Sequence, residues 1–152
     1  MATYSEQMQA LAERFQHETG ATIFRSAEVG QWALDQGLWA PSRESLLRQF
    51  SSDLSRSLRE QYVTDPQGRR VRAKHAVKDD PQQGSLWADI FTAPREHMQR
   101  AFAQRREQVV NDCRQLKTDV DSYNENLNSE HPIQMVFDFT DDLAELSYVM
   151  AR

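Results

Sequence analysis

The chain has 152 residues, enough for one ordinary domain or two small ones and for a real core. Hydrophobic residues make up 39% and charged residues 27%, with only five Gly and five Pro, a balance that fits a helix-rich globular protein and not a disordered one. The single Cys113 excludes an intramolecular disulfide, no apolar run approaches the about 20 residues of a membrane span, and MATYSEQMQALAERF lacks a basic-then-apolar leader, so the expectation is a cytoplasmic protein without membrane contact.

In chain order, Met8, Leu11, Ala12 and Phe15 recur at helical spacing and predict a first helix from about Ser5 to Thr19, closed by Gly20. Ala21 to Phe24 reads as a short strand. Ser26 then suits the N-cap of a second helix, with Val29, Trp32 and Ala33 inward and Gly37 at its end. After LWAP, Ser42 is the next N-cap. The third helix carries Leu46, Leu47, Phe50, Leu54 and Leu58 on an expected buried stripe, leaving Ser45, Arg48, Gln49, Ser52, Ser55, Arg56 and Arg59 on its polar side.

Tyr62 to Val77, YVTDPQGRRVRAKHAV, predicts a hairpin. Asp65, Pro66 and Gly68 occupy the i, i+1 and i+3 positions of a type I turn. Along the return strand the period is two: Val71, Ala73, His75 and Val77 share one face, and Arg70, Arg72 and Lys74 the other. KDDPQQG, residues 78 to 84, is polar and turn-forming and is expected to be a linker at 79–84. LWADIF then puts Leu86, Trp87, Ile90 and Phe91 at helical spacing. Pro94 suits the N1 position of a long helix reaching about Leu127. Its seam of Met98, Phe102, Arg105, Val109, Cys113, Leu116, Val120, Tyr123 and Leu127 is apolar except at Arg105. Such a helix is about 50 Å long, more than a small domain covers, and a second copy of the chain is the simplest partner for Met98, Phe102, Val109, Cys113, Leu116, Val120, Tyr123 and Leu127. Ile133 to Phe139 reads as a strand, and Thr140 as the cap of a last helix, TDDLAELSYVM.

The net charge of −5 hides an uneven split. Residues 1–78 carry 11 Lys and Arg against 9 Asp and Glu, residues 79–152 carry 7 against 14, and 43–78 alone holds 9 cations and 4 anions. The basic excess therefore sits on the third helix and the hairpin. Arg69, Arg70, Arg72 and Lys74 suit phosphate contact, where each neutralised phosphate releases counterions. The plain alternative is a charged edge strand guarded against aggregation. Ser45, Arg48, Gln49, Ser52 and Arg56 suit base-edge readout, as Arg pairs with guanine and Gln with adenine; the alternative is an ordinary polar helix face.

Other constellations are weaker. Asp138, Asp141 and Asp142 could group around a hard cation, but acids at a helix start are explained by its partial positive charge. Asp119 and Asp121 begin like a calcium loop without its glycine. His17, His75, His97 and His131 lack zinc-ligand spacing, Cys113 lies within an apolar seam, and no phosphate-binding Gly loop or nucleophile elbow occurs. No cofactor, metal or catalytic set is expected, and an enzyme is the least supported class.

The order helix, short strand, helix, turn, helix, strand, basic turn, strand over residues 5–77 resembles the winged helix-turn-helix superfamily. That resemblance implies a recognition helix from Ser42 to about Glu60 and a wing at Asp65 to Gly68. The expected fold is mainly α with small β: a winged helix-turn-helix N-terminal domain at 1–78, the 79–84 linker, and a helical dimerisation arm at 85–152 with a C-terminal strand and helix. The expected function is binding of double-stranded DNA by a homodimeric transcriptional regulator or DNA-organising factor. The alternative is a winged-helix interaction module whose basic face meets an acidic protein partner, without DNA.

Overall fold

In a computed structural model that describes residues 1–150, the chain is mainly helical with two small antiparallel hairpins and one long helix. It divides into two compact units, Met1–Ser57 and Leu58–Arg152. The division falls inside the third helix, not in the expected 79–84 linker.

The N-terminal unit holds α1 (Tyr4–Thr19), α2 (Ser26–Asp35) and most of α3 (Arg43–Arg59). α1 begins at a capping box in which Thr3 Oγ1 accepts from the Glu6 N–H and Glu6 accepts from the Thr3 N–H. α2 ends in a Schellman motif. Gly37, at φ 67°, donates to the Leu34 carbonyl, and Leu38 donates to that of Ala33. α1 packs on α2, where Phe15 meets Phe24 and Trp32 edge-on with ring centroids 6.0 and 5.6 Å apart. Ala21 to Phe24 forms no strand, and Arg25, not Ser26, is the N-cap of α2.

α3 starts where expected, with Ser42 Oγ accepting from the Ser45 N–H at 3.1 Å. Its expected buried stripe is not buried. Leu46, Leu47, Phe50 and Leu54 are exposed, Phe50 at 64%, because α1 packs on α2 and neither packs extensively on α3.

The C-terminal unit is built on β1 (Tyr62–Thr64), β2 (Arg70–Arg72), β3 (Lys74–Asp80) and β4 (Gly84–Asp89). β1 pairs with β2 around the expected turn: the Gly68 N–H reaches the Asp65 carbonyl at 2.9 Å, and Asp65 Oδ1 accepts from the Gln67 and Arg69 N–H groups. The return strand breaks at Ala73. Ala73 donates to the Gln61 carbonyl and accepts from the Ile90 N–H, tying the first hairpin to the second. β3 and β4 pair with Lys74 opposite Asp89 and Val77 opposite Leu86. Residues 79–84 are therefore the end and turn of a hairpin, and the expected helical stretch at Leu86 to Phe91 is largely strand, since a short segment with four large apolar residues suits either period.

α4 (Arg95–Asn126) runs for 32 residues from Pro94 as N-cap and packs against β3. Ala101 on α4 and Val77 on β3 are both fully buried, and with Ala73 and His75 they make the small core of this unit. Ile133 to Phe139 is not a strand, having no neighbouring strand to bond. Asn124 takes that role by donating to the Ile133 carbonyl at 2.8 Å and accepting from its N–H at 3.0 Å, and Ile133 to Phe137 with α4 line a cleft. α5 (Thr140–Met150) begins with Thr140 inside the helix; Asp138 is the side chain that accepts from it.

A core this small makes each buried side chain count. Val77→Ala should lower the unit's unfolding free energy by about 2 kcal/mol, from two lost methyl groups and the residual cavity. Ala101→Leu should cost about 1–3 kcal/mol by overpacking. Urea denaturation followed by circular dichroism checks both, and unchanged midpoints would show that α4 does not depend on this contact.

Candidate nucleic-acid interface

The cations of the return strand divide by what holds them. Arg69 pairs with Asp65 at 2.7 Å across the turn. Lys74 Nζ donates to Asp89 Oδ2 at 2.9 Å across β3 and β4, and this hydrogen bond, with that from the Phe91 N–H, holds the Asp89 carboxyl below the usual range. Arg70 lies over the Tyr62 ring, 4.2 Å from its centroid. Arg72 has no carboxylate partner among the described residues. The strand alternation is as expected: Ala73, His75 and Val77 are buried, and Arg72 and Lys74 half-buried on the other face.

Arg72 faces a cleft of about 380 Å³ between the β3–β4 hairpin and α4, lined by Arg59, Arg72, Lys74, His75, Lys78 and Arg105. Trp87, Val109 and Ala76 supply an apolar wall, and no carboxylate lines it. His75 is 4% exposed. Its Nε2 lies 2.9 Å from the Arg72 carbonyl, which can only accept, so the proton is on Nε2 and the Nδ1 lone pair faces Arg105 Nη1 at 3.5 Å. The ring also stacks edge-on against Phe102, centroids 5.4 Å apart. α4 grips β3 through side chains: His97 Nε2 lies 2.9 Å from the His75 carbonyl, while Gln104 both accepts from the Lys78 N–H and donates to its carbonyl.

Burial is the main influence depressing the His75 pKa, with the Arg105 and Arg72 charges adding to it. Arg105 is likewise lowered by desolvation first and then by Arg72. Two guanidiniums thus repel one another beside a neutral imidazole.

In the N-terminal unit, the readout residues of α3 are exposed apart from half-buried Ser45, and largely engaged along their own helix. Gln49 donates to Asp53 at 3.0 Å, and Arg56 lies 3.7 Å from the same carboxylate. Arg48 stacks over Tyr4 at 4.1 Å, Ser45 bonds Ser42, and Ser52 is exposed. On α4, Phe102, Val109, Leu116, Tyr123 and Leu127 are exposed, and Met98, Cys113 and Val120 are half-buried. Arg105, Arg59, Lys78 and Trp87 join the cleft without having stood out as contact residues. The signal for Arg105 was the one charge interrupting an apolar seam.

No family model, no curated protein and no solved structure matches this chain.

The His75 environment has a pH consequence. Above about pH 6.5 the ring is neutral in both folded and unfolded chains, and nothing is lost. As pH falls below that value, the unfolded chain takes up a proton that the folded chain resists, so stability drops until the depressed native pKa is passed. The thermal midpoint should therefore fall between pH 7 and 5, and His75→Gln should flatten that fall while lowering the plateau. Parallel curves for both proteins would remove His75 as its source.

Proposed function

We propose that the protein binds double-stranded DNA as a homodimer, with the β1–β2 turn acting as a wing and the cations of the cleft contacting phosphate. The observation that carries this reading is the cleft itself: Arg59, Arg72, Lys78 and Arg105, with Lys74 paired to Asp89 at its edge, beside His75 and no lining acid, in a chain whose net charge is −5. A cation cluster kept within an acidic protein costs self-repulsion, which a polyanion offsets. In this reading α3 reads base edges through Arg48, Gln49 and neighbours, in the manner of a recognition helix, and two copies joined along α4 present two half-sites. The exposed seam at Val109, Leu116 and Tyr123 supports such pairing.

A second reading is a protein-docking module, favoured by the uncovered stripe of Leu46, Leu47, Phe50 and Leu54 on α3. There the cations meet an acidic protein surface instead.

Fluorescence anisotropy with duplex DNA over a salt series tests the first reading. Changing Arg59, Arg72 and Lys78 together to Gln should weaken binding to any sequence and reduce the log-log salt slope by about 0.9 per lost contact, or about 2.7 in all. Arg48→Ala or Gln49→Ala should instead cost about 1–3 kcal/mol at particular base pairs. Absence of duplex affinity at low salt, with a protein partner lost on the triple change, would replace this reading with the docking module.

Self-association has its own check. Leu116→Asp should shift light-scattering mass from dimer to monomer, because a charge in a closed apolar seam is strongly unfavourable. A wild-type chain that stays monomeric at high concentration would end the dimer proposal.

A further inference from the structure

Duplex contact leaves the shape of the cleft unexplained. Internal phosphates of a duplex lie on a convex rod, and exposed Arg59, Lys78 and Arg105 are the cleft cations such a rod meets most readily, Arg72 lying deeper. Arg72 is half-buried, His75 buried, and the volume is that of a small-molecule site, with Trp87 and Val109 forming an apolar wall. Several neighbours are already committed. The His75 Nε2 proton goes to the Arg72 carbonyl, Gln104 to the Lys78 main chain, Gln108 to Asp112, and Lys74 to Asp89. Arg72 and Arg105 are left facing the cleft without a carboxylate. A guanidinium is a planar fork that matches phosphate oxygens two at a time, and two forks together match a dianion. The apolar wall beside them suits a flat organic group carried by that dianion.

We propose that this cleft binds a phosphomonoester attached to a flat organic body, the class represented by a nucleoside monophosphate, with the phosphate between Arg72 and Arg105 and the ring system against Trp87. Two sources share this chemistry: a free phosphorylated small molecule and the 5′-phosphorylated end of a nucleic-acid strand. The inference rests on the same cations as the DNA reading but concerns a terminal phosphate, which a continuous duplex does not offer.

Isothermal titration calorimetry on the full chain tests it, using adenosine 5′-monophosphate, adenosine, and single strands of one sequence with a 5′-phosphate or a 5′-hydroxyl. The monophosphate, the phosphorylated strand or both should bind at least tenfold more tightly than the counterpart without phosphate. Which of them does so identifies the source. Arg72→Gln should remove that preference, and so should Arg105→Lys, which keeps the charge and loses the fork; Arg14→Gln, on α1 and paired with Glu18, should leave it intact. Circular dichroism confirms that each variant is folded, and Arg72→Gln serves alone if Arg105→Lys is not. No tenfold preference for either phosphorylated ligand, or a preference that persists in folded Arg72→Gln, overturns the inference. Duplex affinity with no such preference would sink this inference and leave the DNA reading standing; the preference without duplex affinity would do the reverse.

Discussion

The buried row Ala73, His75 and Val77 is the constraint on which the C-terminal unit depends. Strand side chains alternate, so placing His75 and Val77 of β3 inward turns Lys74 to its other face, and Arg72, on β2 just before the break at Ala73, joins Lys74 in lining the cleft. His75 is the polar member of that row. Its ring satisfies the Arg72 carbonyl on one side and Arg105 on the other, while its own carbonyl is taken by His97. A one-residue slip of β3 would bury Lys74 and Ala76 in its place, losing these bonds and exposing Val77. The register that makes the core is therefore also the register that gathers the cations.

The parts legible from sequence are those where local chemistry decides. The Asp65 to Gly68 turn, the Ser42 cap, the Gly20 and Gly37 stops and the start of α4 at Pro94 each need only a few adjacent residues. The second hairpin was not legible, because Leu86, Trp87, Ile90 and Phe91 fit a helix as well as a strand. What decides is the partner: Lys74 opposite Asp89 and Ala76 opposite Trp87 are tertiary facts. The turn-rich 79–84 segment carried the signal of a hairpin and equally that of a linker. Ile133 to Phe139 failed in the opposite way, its alternation being strand-like while no strand lies beside it to complete a ladder.

The candidate site was half legible. Arg70, Arg72 and Lys74 announce themselves as adjacent cations, yet Lys74 is neutralised by Asp89 and Arg70 is held on Tyr62. Arg105 replaces them. It lies on a different element 33 residues beyond Arg72, and only the packing of α4 on β3 brings the two together. Charge runs along a sequence thus overstate a site where salt bridges absorb them and understate it where helices deliver charge from afar.

Apolar stripes pose the same problem in another currency. Periodicity marked out apolar stripes on α3 and α4, but it did not say whether anything in the chain covers them, and the α3 stripe expected to be buried is exposed. In the C-terminal unit α4 meets β3 through His97, Ala101 and Gln104 and through the first part of the seam, where Phe102 and Arg105 reach His75. Val109 lines the cleft, while Leu116 and Tyr123 are exposed farther along the helix, past the hairpins. Water disfavours exposed apolar surface in proportion to its area. A helix of 32 residues needs far less than its full length to close the small core around Ala101; farther along, Asn124 holds Ile133 against it, and Leu116, Tyr123 and Leu127 stay exposed.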